Sequence, residues 1–201
     1  MASPKHPSLL VYGDTEKLSF PLMLILGREF NGVGDVVRRV GQYNWSESPR
    51  SLFWNTTYRL IAQVAGFSEG MALKDFCSTR RSSPIALSNA LPAAIPDGAT
   101  ASQKSRLRKA IPESLIHEHA SFVLAGALGT RVKLVLLSGA DGPDFGAASA
   151  VFEEECTRRG LPLATIPYLA SRQPFATYRG ALGESDAILV RDIVRAFRDS
   201  T

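Results

Sequence analysis

The stretch that most constrains the fold is Leu22-Met23-Leu24-Ile25-Leu26, an unbroken apolar run that stops at Gly27. A run this short and continuous reads as a strand buried on both faces, the habit of parallel sheets. The residues after it are polar and glycine-rich: Arg28, Glu29 and Asn31, then Gly32 and Gly34. In an open α/β sheet the carboxyl ends of the strands carry the ligand site, because a rigid scaffold holds the loops there. This loop is therefore the first place to look for chemistry. Taken alone it reads more simply as a solvated turn.

Around that strand the chain alternates. Residues 9–12 form a short strand or an edge pairing, and 28–47 a loop. A helix follows, with Ser48 as N-cap, Pro49 at its first position, Phe53, Leu60, Ile61 and Val64 at helical spacing, and Gly66 as its stop. Residues 84–87 are a second buried strand ending at Ser88-Asn89. Residues 92–109 are the least structured part, rich in Ala, Ser, Pro and Gly, then basic at Lys104, Arg106, Arg108 and Lys109. A helix over 112–128 leads to a third strand, 132–137. A helix over 143–159 closes at Gly160 and leads to a fourth, 161–166. A last helix, 184–198, buries Ile188, Leu189, Ile193, Val194 and Phe197. Right-handed crossovers then predict one α/β domain, residues 1–201, with three α/β/α layers and a central four-stranded parallel sheet.

Composition narrows the function classes only modestly. The 201 residues are 45% hydrophobic, ample for one core. No apolar run approaches the ~20 residues that cross a bilayer, so no membrane partner is expected. Pro4, His6 and Pro7 do not fit a signal peptide, and Cys77 and Cys156 form no disulfide framework. The expected setting is cytoplasmic. The net charge of +4 permits a polyanionic partner without demanding one.

Each strand end delivers polar groups: Glu29 and Asn31, then Asn89, then Ser138 and Asp141, then residues 168–173. On one rim they would make a pocket. Dinucleotide-fingerprint, phosphate-loop and nucleophile-elbow motifs are all missing. His117 and His119 point to different faces of a helix, cannot readily share a metal, and read as surface or packing residues.

The order of these motifs resembles the uracil-DNA glycosylase superfamily, chiefly its mismatch-specific and single-strand-selective branches. Gly27-Arg28-Glu29-Phe30-Asn31 stands where that family has Gly-Gln-Asp-Pro-Tyr or Gly-x-Asn-Pro-Gly. Tyr43-Asn44-Trp45-Ser46, then Phe53-Trp54, then Ala65-Gly66-Phe67 follow its aromatic loop and helix. Asn89 resembles a base-reading asparagine, and Ile166-Pro167-Tyr168 opens the segment of its final His-Pro-Ser or Asn-Pro-Ser motif. Phe30 replaces the first-motif proline, Glu29 is longer than the usual Asp or Asn, and Tyr168 replaces His or Asn.

The resemblance implies excision of a flipped, damaged base such as uracil from single- or double-stranded DNA. It implies Glu29 as the carboxylate that orients water and stabilises a cationic sugar, with Tyr168 as a donor. Asn31, Tyr43, Trp45 and Asn89 would hold the base; Arg28, Arg172 and Gln173 would contact DNA. Neither a cofactor nor a metal is implied, and the expected state is a monomer. Two other readings stay open: a catalytically weak relative that only binds nucleic acid, and an α/β enzyme for a free nucleobase, nucleoside or nucleotide. Glu29 is equally read as an ion-pair partner for Arg28, Arg38 or Arg39, and Asn89 as a turn residue.

Overall fold

The computed structural model describes residues 5–14, 18–31, 34–42, 52–68, 72–96, 98–125, 128–139, 142–171 and 173–200, with Asn31 described in its backbone alone. Strand β2 (Leu22–Gly27) is buried at every position and sits inside the sheet, as its sequence demands. It pairs in parallel with β5 (Ile85–Asn89) and β7 (Val132–Ser138), and β7 pairs in parallel with β8 (Leu163–Ile166). The contiguous block β5-β2-β7-β8 contains Leu24, Leu87, Val135 and Ala164, as expected for the parallel core.

The sheet is larger than four strands. It has six, in the order β4-β1-β5-β2-β7-β8, and is mixed rather than wholly parallel. Strand β1 (Lys5–Val11) runs parallel to β4 (Asp35–Gln42) and meets β5 antiparallel at Leu10 and Leu87. Strand β4 corrects the loop expected over 28–47. Its Arg38 and Arg39 are both exposed, and charge on an outer strand blunts edge-to-edge pairing while hiding the hydrophobic alternation. Two-residue strands β3 (Phe30–Asn31) and β6 (Ala94–Ile95) pair beside the main sheet.

Seven helices occur among the described residues. Helix α1 (Leu52–Val64) packs with α2 (Ala72–Arg80), α6 (Phe175–Ala181) and α7 (Glu184–Asp199), while α4 (Glu113–Ala125) packs with α5 (Gly146–Arg159). The crossover from β2 to β5 steps one way along the sheet, and those into β7 and β8 step the other. Right-handed connections therefore set the two helix groups on opposite faces. Helices α2 and α6 were not legible as helices, and Ile188 of α7 is 45% exposed rather than core.

Helix α3 (Ala101–Lys109) corrects the unstructured reading of 92–109. Thr100 and Gln103 form a reciprocal capping box, so a polar segment has a defined start. It has no buried residue. Among the described residues no helix is long and apolar enough to cross a membrane.

Candidate active site

Strand register places the polar ends in one row. Gly27 pairs with Asn89, Leu26 with Leu137, and Ser138 with Ile166, so Arg28, Gly139 and Pro167 follow on the same rim. There Gly27, Arg28, Glu29, Phe30, Phe53, Trp54, Ser88, Asn89 and Tyr168 line a cavity of about 210 Å³. Ligand pockets for drug-sized molecules run from roughly 300 to 1,000 Å³. This one suits a single small ring.

Glu29 is held by an unexpected partner. Its Oε1 accepts a hydrogen bond from Arg108 Nη2 at 2.6 Å, across 79 residues of sequence. Arg108 Nη1 also donates to Asp144 Oδ2 at 3.3 Å, and the guanidinium lies 4.9 Å from the Phe145 ring centroid. Burial opposes the charge of Arg108, but the Glu29 and Asp144 carboxylates outweigh it and raise its pKa. The hydrogen bond from Ser105 Oγ lowers the Asp144 carboxyl, against a burial penalty, and Arg108 and Lys109 lower it further. Glu29 Oε2 is buried without a hydrogen-bond partner among the described residues, as is Arg108 Nε. The carboxylate of Glu29 thus has one oxygen anchored and one buried acceptor unsatisfied.

Asn89 is positioned through its backbone and through Gly27. A β-carbon at Gly27 would stand 2.4 Å from Asn89 Oδ1, so only glycine lets the amide lie against the strand. The Asn89 side chain forms no hydrogen bond among the described residues, leaving its donor and acceptor for a ligand. Its carbonyl sits 2.8 Å from His119 Nε2, which must donate. Burial pushes the His119 pKa down to about 4, so the ring is neutral near pH 7. His119 is therefore a buried support of the rim, whereas His117 is a half-exposed neighbour of Glu113.

This has a measurable consequence. His119 binds its proton less readily folded than at its ordinary 6.5, so its stabilising neutral state is complete above that pH. It is lost as pH falls from 6.5 toward 4, at up to about 1.4 kcal/mol per pH unit. Thermal melts over that range should fall more steeply for the wild type than for His119→Gln, which keeps a donor without titrating. Parallel curves would remove this role.

The fourth strand end is braced as firmly. Ser138 Oγ accepts from the Leu169 amide at 2.9 Å, and the buried Tyr178 hydroxyl donates to the Ser171 carbonyl at 2.6 Å. Tyr168 packs beside Phe53 at 6.2 Å between centroids. Arg28 stacks on Tyr168 at 4.4 Å, and its Nε donates to the Gly139 carbonyl at 3.2 Å. Gly139 has φ +80°, and a β-carbon there would meet both side chains. Burial first, then the Glu29 charge, raises the Tyr168 pKa and keeps its phenol a donor.

Glu29, Arg28, Asn89 and Tyr168 are thus brought together. Gln173 is exposed beyond the loop and does not line the pocket. Tyr43, Trp45, Asp141, Arg172 and the Asn31 side chain lie outside the described residues. The aromatic wall that is described comes from Phe30, Phe53, Trp54 and Tyr168. Arg108, Asp144 and Phe145 were missed as residues that support the site, while His119 is the packing residue that one of its two sequence readings gave, on a helical face with Ile116, Ala120 and Val123. Of the other cations, Arg80 and Arg81 lie at the opposite end of the sheet near Asp14 and Phe20, and Arg38 pairs with Glu118. Among the described residues no cluster suits a metal ion. No protein-family model matches the chain, and no curated protein matches it.

Proposed function

We propose that the chain is a DNA glycosylase-like hydrolase that cleaves the base–sugar bond of uracil or another altered base. The observation that carries this reading is that Glu29, which keeps one buried carboxylate oxygen unsatisfied, and Asn89, with an uncommitted amide, line the same ring-sized pocket. Asn89 can match a pyrimidine edge with one donor and one acceptor. Phe53, Trp54 and Tyr168 supply aromatic walls that suit a planar ring. Glu29 Oε2 can accept a proton from water as the water adds to the sugar carbon, while the bond to the base breaks and the base takes the electron pair. Tyr168 and Arg28 are the donors beside that developing anion. The contiguous parallel block, covered by helices in a three-layer arrangement, supports the same reading.

The Glu29–Arg108 pair favours a second reading, in which the protein binds an altered base without cleaving it. Arg108 occupies the oxygen that a general base would otherwise share. A panel of single- and double-stranded oligonucleotides carrying different altered bases separates the two. Abasic sites formed on at least one strand support hydrolysis. A lesion-selective change in tryptophan fluorescence with no abasic product supports binding alone, and neither result on any strand sinks both.

A further inference from the structure

Helix α3 has none of the apolar anchors that hold the other long helices. What fastens its side chains is a set of polar contacts to two acids, Glu29 through Arg108 and Asp144 through three side chains. Ser105 Oγ donates to Asp144 Oδ1 at 2.8 Å, Lys109 Nζ lies 3.6 Å from the same oxygen, and Arg108 reaches Oδ2. Ser102, Ser105, Arg106 and Lys109 repeat at helical spacing and line an open depression on one face of the helix. Two hydroxyl donors and two cations around a hollow are the groups that hold a phosphate. The helix itself carries no acidic residue, and Arg106 has no acidic partner among the described residues.

We infer that this face of α3 is a backbone-phosphate site for single-stranded DNA, and that Asp144 holds its donors when no phosphate is bound. A phosphate in the depression competes with Asp144 for Ser105 and Lys109. Weakening that anchor loosens Arg108, whose remaining partner is Glu29, so strand binding and the state of the pocket carboxylate are coupled. The phosphate site is argued from α3 alone, whereas its assignment to a DNA strand and the coupling rest on the function proposed above.

The test uses the full chain and an undamaged fluorescent oligothymidylate about 12 nucleotides long. Its independence from base excision keeps the two proposals separable. Log affinity against log salt should be shallower by about 1.4 in Arg106→Gln/Lys109→Gln than in the wild type, because each single-strand phosphate contact adds about 0.7 to the slope. Arg191→Gln/Arg195→Gln, exposed changes on α7, should leave the slope unchanged. Asp144→Asn removes the competing anion and should tighten binding several-fold; weaker binding by a variant with an unchanged melt would overturn the competition. An oligothymidylate with neutral methylphosphonate linkages should bind far less well, and equal binding would overturn the phosphate site. Inorganic phosphate alone distinguishes the source: if it occupies the site while the oligonucleotide does not bind, the strand assignment is wrong.

Discussion

Glu29→Gln should lower the rate of base release by about 10²–10⁴-fold, the usual cost of losing a positioned general base. The substitution is nearly isosteric. A glutamine carbonyl in place of Oε1 still accepts from Arg108 Nη2, so the anchor of α3 survives. What disappears is the basicity of the oxygen beside the pocket. Substrate affinity, read from tryptophan fluorescence, should change little while turnover collapses. Equal rates for wild type and variant would remove Glu29 from the chemistry. Loss of binding in parallel with rate would make it a ligand-holding group instead. Replacing Arg108 is a poorer test, since an unpaired buried carboxylate costs ~3–5 kcal/mol and confounds stability with activity.

The second large effect concerns a residue that carries no side chain. Gly27→Ala should weaken base binding about as much as Asn89→Ala does, although residue 27 offers a ligand no functional group. The added methyl would stand 2.4 Å from Asn89 Oδ1, so the amide must leave its place against the strand. A double-mutant cycle isolates this cause. Once Asn89 is alanine the methyl meets no oxygen, and the double variant should bind no worse than Asn89→Ala alone. The coupling should fall within the ~0.5–3 kcal/mol seen for contacting residues. Additive losses in calorimetric titration with the free base would mean that Gly27 acts through something other than Asn89.

Three strands of the parallel block were legible because an apolar run ends at a polar or glycine residue, as Leu26 gives way to Gly27, Leu87 to Ser88 and Leu137 to Ser138, and the fourth because its short run stops at Pro167. Those same boundaries brought Glu29, Asn89 and Tyr168 to one rim. Strand β4 was not legible, since Asp35, Arg38, Arg39 and Gln42 face solvent and leave little buried face to set a period of two. Arg108 was legible only as one member of a basic segment. Its partner Glu29 is distant in sequence, and the helix that carries it has no apolar stripe to orient it. His119 read from the sequence as a surface or packing residue and is a packing residue on the face it shares with Ile116 and Val123, but its bond to the Asn89 carbonyl, 30 residues away in sequence, was not legible.

The long reach of the site contacts bears on how the chain acquires its chemistry. Glu29 meets its cation 79 residues later, and Arg28 finds a carbonyl 111 residues on. Neither pairing can precede the closing of a long loop, and parallel strands make such closures slow relative to local helix formation. A nascent chain that has emitted β2 and α1 carries the first motif without its supports. Competence therefore arrives late and together, with the seating of β7 and β8, so that a half-made molecule has no ordered pocket to offer a ligand.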